Sequence, residues 1–214
     1  MNSAFFKPWV GTSYFKGGYS GKKLLILGES HYCQIEQVCD DCGIIGRPGC
    51  TEFTINTVGK YLDYKRTGSG HEYWMNTFTK FGNVLENQTL DSEATTELWH
   101  SMALYNYVQI AVADKRMAPP GANFAASSEA FIQLLAELKP DLVISWGMRL
   151  WNNLPTTGKQ LVLEDTNYYV YTAANGMSVP VIATFHPSTG RFNYGAHGRL
   201  AKAIHNCQKA AQSI

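Results

Sequence analysis

Two short stretches carry the residue types that could do chemistry. Gly28-Glu29-Ser30-His31-Tyr32 sets a carboxylate, a hydroxyl, an imidazole and a phenol in a row behind a glycine. His186-Pro187-Ser188 sets a second imidazole two residues from a hydroxyl. An imidazole with an ordinary pKa near ~6.5 suits general acid or base work. Serine is a poor base, so of the first group Glu29 or His31 is the expected proton acceptor. An imidazole such as that of His186 can also donate a hydrogen bond to an oxygen on which negative charge develops. Ser188 and the backbone N–H groups after it suit phosphate contacts.

The segments that lead into these residues explain why they should meet. Lys23-Leu24-Leu25-Ile26-Leu27 and Pro180-Val181-Ile182-Ala183-Thr184-Phe185 are short apolar runs. A continuous apolar run bounded by Gly or Pro reads as a strand buried on both faces of a parallel sheet. Open α/β sheets place their ligands outside the carboxyl ends of such strands. Gly28 allows a sharp turn at the first strand end, and Pro187 stops pairing and helix at the second. Glu29, Ser30, His31 and Tyr32 are therefore expected to line a crevice.

Further strands are expected at 104–110 and 141–146, and a strand or hairpin within Leu161–Thr172. Helices are expected from Thr51 to Tyr64, His71 to Glu86, Asp91 to His100, Glu129 to Leu138, Met148 to Leu154 and Gly195 to Gln212. Residues 1–21 read as an irregular arm. Strands alternating with helices predict an α/β fold, a three-layer α/β/α sandwich around a central four-stranded, mainly parallel sheet. At 214 residues, with no repeat or linker, the chain is expected to form a single domain, 1–214.

A hydrophobic fraction of 45% predicts a well-packed core. The formal net charge is +1, so any nucleic-acid contact must rest on a local groove of Lys and Arg. The N-terminal residues lack the apolar stretch of a secretory signal, and no run reaches the ~20 residues of a membrane span, so a cytoplasmic protein without a membrane partner is expected. There are five cysteines, and Cys33, Cys39, Cys42 and Cys50 crowd together. Cys39-Asp-Asp-Cys42-Gly43 looks like a zinc knuckle, but a second Cys-x-x-Cys pair is missing. A structural zinc and free loop thiols both remain open.

Taken together, the strand-end motifs Gly28-Glu29-Ser30-His31-Tyr32 and His186-Pro187-Ser188 resemble those of the uracil-DNA glycosylase superfamily. The resemblance spans roughly residues 22–206 and implies the three-layer fold. It also implies a DNA glycosylase that hydrolyses the N-glycosidic bond of uracil or another modified pyrimidine flipped out of DNA, with no cofactor required for catalysis and no obligate protein partner. By this resemblance Glu29, Ser30, His31 and His186 are the catalytic candidates. Gly28 and Tyr32 shape the base pocket, Phe53 stacks on the base, and Asn106 reads its amide edge, for which a bidentate amide is the right chemistry. Ser188, Arg191 and Phe192 contact DNA, with Phe192 as a wedge in the gap left by the flipped base. The pattern also departs from the best-studied members, because Ser30 and His31 stand where an Asp and a Pro are usual. A glycosylase for hypermodified bases in anti-phage defence and a non-catalytic DNA-binding member of the fold are the alternatives. No Gly-x-Ser-x-Gly elbow supports an α/β-hydrolase.

Overall fold

The computed structural model describes residues 4–32, 50–112 and 118–214. Its strands are β1 (Trp9–Val10), β2 (Leu24–Gly28), β3 (His31–Tyr32), β4 (Ala103–Asn106), β5 (Ala111–Val112), β6 (Leu142–Trp146), β7 (Lys159–Leu163), β8 (Thr166–Thr172) and β9 (Ser178–Thr184). The helices are α1 (Phe53–Thr67), α2 (Met75–Leu85), α3 (Ser92–His100), α4 (Gly121–Ala126), α5 (Ser128–Leu138), α6 (Met148–Asn152) and α7 (His197–Gln212).

The α/β class is as expected from the alternating pattern, but the sheet is larger and mixed. It has seven strands in the order β1-β4-β2-β6-β9-β8-β7. β4, β2, β6 and β9 run parallel, and these correspond to the four strands expected at 104–110, 23–27, 141–146 and 180–185. Antiparallel strands extend both sides: β1 on β4, and the β8–β7 hairpin on β9. The hairpin closes through Glu164 and Asp165 at φ of 47° and 63°, the left-handed conformation that two-residue hairpin turns require. The arm before residue 22 is thus not wholly irregular, since its Trp9 and Val10 pair with Leu104 and Ala103.

Side chains alternate across the sheet and fill two cores. Leu24, Ile26, Leu104 and Ile144 point to one face, where they pack with Val58 and Tyr61 of α1, Phe78 and Phe81 of α2, Trp99 of α3 and Leu200 of α7. Leu25, Leu27, Tyr105 and Val143 point to the other, against Phe124 of α4, Phe131, Leu134 and Leu135 of α5 and Leu150 of α6. Every residue of β2 and β6 is buried, which explains why their sequences show no polar alternation.

Several boundaries differ from the sequence expectation for local reasons. The expected strand 104–110 stops at Asn106, although Tyr107 and Val108 still donate their N–H groups to the carbonyls of Gly28 and Glu29. A 3-10 turn at Cys50–Glu52 precedes α1, and Thr51 offers its carbonyl to the Lys7 N–H rather than capping the helix with its side chain. The expected helix from His71 begins at Met75. Asp91 does cap α3, accepting from the Ala94 N–H. No helix among the described residues is long and apolar enough to cross a membrane.

One contact at the end of β2 has a measurable consequence. A Cβ built on Gly28 would lie 2.0 Å from Asn106 Oδ1, across the β2–β4 pairing. Gly28→Ala is expected to lower stability by roughly 1–3 kcal/mol, the usual range for overpacking a tight site. In an Asn106→Ala background the same change should be nearly neutral. Equal losses in both backgrounds, measured by denaturant unfolding, would remove this contact as the reason for the glycine.

Candidate active site

The carboxyl ends of β2, β6 and β9 bring charged and hydrogen-bonding groups together. β6 ends at Trp146, and Gly147 follows with φ of 101°, a conformation suited to glycine. Its N–H is held by the Thr184 carbonyl of β9. The chain then turns into α6, which carries Arg149 to Glu29 at the end of β2. Arg149 Nε donates to Glu29 Oε2 at 2.7 Å and Nη2 donates to Oε1 at 2.5 Å. This is a two-pronged pair that fixes the carboxylate plane. The Glu29 side chain is 11% exposed and Arg149 is 48% exposed, so the anion is largely covered by a half-exposed cation.

His186 stands at the end of β9. The Ser188 backbone N–H donates to its Nδ1 at 3.2 Å, and the Ser188 hydroxyl lies 2.7 Å from the same atom. A nitrogen that accepts a backbone N–H holds no hydrogen, so the neutral ring carries its hydrogen on Nε2. Burial lowers the pKa of His186, the Glu29 carboxylate opposes that shift and the Arg149 guanidinium adds to it. The net direction favours a neutral ring. Trp146 meets His186 edge-on, with ring centroids 6.0 Å apart.

His31 is not the water-facing base its sequence context suggested. It is 4% exposed, and its pKa is lowered from 6.5 to about 3 by burial. Phe53 stacks on one side at 4.5 Å, and Phe6 from the N-terminal arm meets the ring at 4.6 Å. Its ring nitrogens contact the Thr54 hydroxyl at 2.9 Å and the Asn106 amide nitrogen at 3.0 Å. With Nδ1 accepting from Asn106, Nε2–H donates to Thr54. β3 pairs in parallel with β5, and the His31 ring lies beneath Phe6 of the arm and Phe53 and Thr54 of α1. Ser30 is likewise 7% exposed, and its hydroxyl has no partner among the described residues. Neither residue lines an open crevice; His31 holds Asn106 in place instead.

The other candidates divide. Gly28 and Asn106 touch, as described above. Phe53 is half-buried against His31, and Tyr32 is 37% exposed. Ser188 and Arg191 are exposed, and Arg191 lies over the Phe185 ring at 5.6 Å from its centre. Phe192 is a correction: it is fully buried and stacks on Phe81 of α2 at 6.0 Å, so it is a core residue and not an exposed wedge. Cys33, Cys39 and Cys42 lie outside the described residues, and Cys50 is a half-buried free thiol. No metal-binding group of His, Cys, Asp or Glu occurs among the described residues.

Sequence reasoning missed Arg149, Thr54 and Phe6. Trp146-Gly147 repeats the pattern of an apolar strand ending in glycine, and that signal would have directed attention to the residues just after it. No protein-family model matches the chain, and no curated protein matches it.

The state of His31 sets a pH dependence. Its folded pKa lies below its value of 6.5 in an unfolded chain, so between these values the unfolded chain binds the extra proton. Stability from this group is complete above about 6.5 and is lost as pH falls toward about 3. His31→Gln should flatten that part of the stability curve. An unfolding free energy with the same acid slope in both proteins would contradict a neutral, buried His31.

Proposed function

We propose that this chain is a DNA glycosylase that hydrolyses the bond between deoxyribose and uracil or another altered pyrimidine. The observation that carries this reading is the placement, at strand ends of one sheet, of His186, whose Nδ1 accepts and leaves Nε2–H to donate, and Glu29, whose carboxylate is held in a fixed plane. Base hydrolysis needs these two functions. As the bond from C1′ to the base nitrogen breaks, its electron pair moves onto the base and charge gathers on the neighbouring carbonyl oxygen. A neutral imidazole N–H aimed at that oxygen stabilises the departing anion. The Glu29 carboxylate takes a proton from the water whose oxygen forms the new bond to C1′, and that proton then neutralises the departed base anion.

The remaining residues support positioning. Arg149 keeps Glu29 from rotating, which matters because a misplaced water loses much of the benefit of proximity. Asn106, braced by His31 and seated over Gly28, supplies an amide for the edge of the base. Tyr32 and Phe53 are the aromatic residues near it. Arg191 and Ser188 on the loop after His186 are the phosphate contacts. DNA is the partner this arrangement suits, and catalysis needs no bound cofactor in this scheme.

The test is release of free base from oligonucleotides carrying uracil and a set of modified pyrimidines, with abasic sites revealed by alkali. Wild type should release base from at least one of them. Under enzyme excess, His186→Ala and Glu29→Gln should each slow excision by about two to three orders of magnitude, as loss of an oxyanion donor does. The double variant should lose much less than the product of the two, because the groups act in one transition state. No base released by wild type from any member of the set, or unimpaired excision by His186→Ala, would overturn this function.

A further inference from the structure

A groove of about 310 Å³ runs beside the loop that follows His186, between α2 and residues 193–194. Asn76, Lys80 and Asn83 line its α2 wall, with Asn193 and Tyr194 opposite. Asn76, Lys80 and Asn83 stand at i, i+4 and i+7 and so form one stripe along the helix. The opposite face of α2 is occupied by Met75, Phe78, Phe81 and Leu85 in the core.

The hydrogen bonds of this stripe leave several of its N–H groups free. The Asn83 carbonyl oxygen accepts from the Leu90 N–H, and the Asn76 carbonyl oxygen lies 3.1 Å from His71 Nε2. The amide nitrogens of both have no acceptor among the described residues. Lys80 gives one proton to the Thr189 carbonyl at 2.7 Å and has two more. The stripe therefore has two amide nitrogens and an ammonium with N–H groups to spare, beside Thr79 and Val84, and no carboxylate lines the groove. Tyr194, 48% exposed, adds an aromatic face. A larger groove between α1 and α3 is the opposite in character, lined by Asp63, Glu93 and Glu97.

We propose that the α2 groove binds the sugar-phosphate backbone of the DNA strand beside the target base, and this rests on the glycosylase reading above. Donor amides and an ammonium without competing carboxylates match phosphate oxygens, and Tyr194 offers a stacking surface for an unpaired base. The groove is joined to the catalytic end by short steps. Lys80 holds the Thr189 carbonyl, and the Thr189 N–H and hydroxyl both hold the His186 carbonyl. Phe192, stacked on Phe81, pins the same loop to α2. A strand seated on the stripe is thus led toward His186.

The experiment measures binding of a fluorescent 20-nucleotide oligonucleotide with ordinary bases, single-stranded and duplex, at several salt concentrations. It uses the full chain and needs no excision. Lys80→Ala should reduce the slope of log K against log salt by about 1, as loss of one phosphate contact does. Asn76→Asp places a carboxylate in the stripe and should weaken binding more than Asn76→Ala. Arg66→Ala in the α1–α3 groove should leave affinity unchanged, and melting temperatures confirm folding of each variant. Lys80→Arg, which keeps the charge, should retain the wild-type slope, separating phosphate contact from support of the loop. An unaltered slope and affinity in both Lys80→Ala and Asn76→Asp would overturn the groove proposal whether or not base is released. Base release by wild type in the earlier assay reports separately on the function itself.

Discussion

The whole strand-end arrangement depends on how closely Asn106 can approach Gly28. Because Gly28 has no Cβ, the Asn106 side chain can lie across the end of β2. Its amide then reaches the His31 ring, which is held from below by Thr54 and between Phe53 and Phe6. One small residue thereby links β2, β4, α1 and the N-terminal arm. Gln109 tightens the same knot, accepting the Phe5 and Phe6 N–H groups while donating to the carbonyls of Asn106 and Tyr107. A buried polar network of this kind is stable only when its members are satisfied, and the aromatic surroundings keep the imidazole uncharged.

The second half of the site depends on β6 lying between β2 and β9. That central strand separates Glu29 from His186 in the sheet, and only the turn at Gly147 brings a third group, Arg149, across the gap. The guanidinium fixes the carboxylate and also opposes a proton on His186, whereas the carboxylate favours one. Burial is the largest influence on the imidazole, and the net shift is downward, toward the neutral ring. A neutral donor is the form that can hydrogen-bond to a forming oxyanion without first binding an anion in the ground state.

Much of this was legible in the sequence where a signal was strong and local. β2 and β9 announced themselves through short apolar runs, the mark of burial on both faces, whereas β4 was read through the polar interruptions Asn106 and Gln109. His186 and Glu29 were legible because they follow such runs directly. β1 was not, since two residues are too few to show a period, and the extent of the sheet was underestimated for that reason and because the β7–β8 hairpin alternates only partly. His31 looked accessible from its polar neighbours, but Phe6, Phe53 and Asn106, all at least 22 residues away in sequence, cover its ring. Phe192 sits among Thr, Gly, Arg, Asn and Tyr and so read as exposed; packing on Phe81 of a helix more than a hundred residues earlier absorbs it. Arg149 reaches its partner over a separation of 120 residues, and local pattern contains no record of such a contact.

The central claim is that His186 stands at this site as a neutral ring with its hydrogen on Nε2, beside a carboxylate locked by Arg149. Nitrogen NMR of the histidine rings at neutral pH tests it most directly, with the His186 signals assigned by comparison with His186→Ala. The account requires a pyridine-type resonance for Nδ1, which accepts from Ser188, and a proton-bearing resonance for Nε2. A protonated imidazolium, or a neutral ring with its hydrogen on Nδ1, would contradict it.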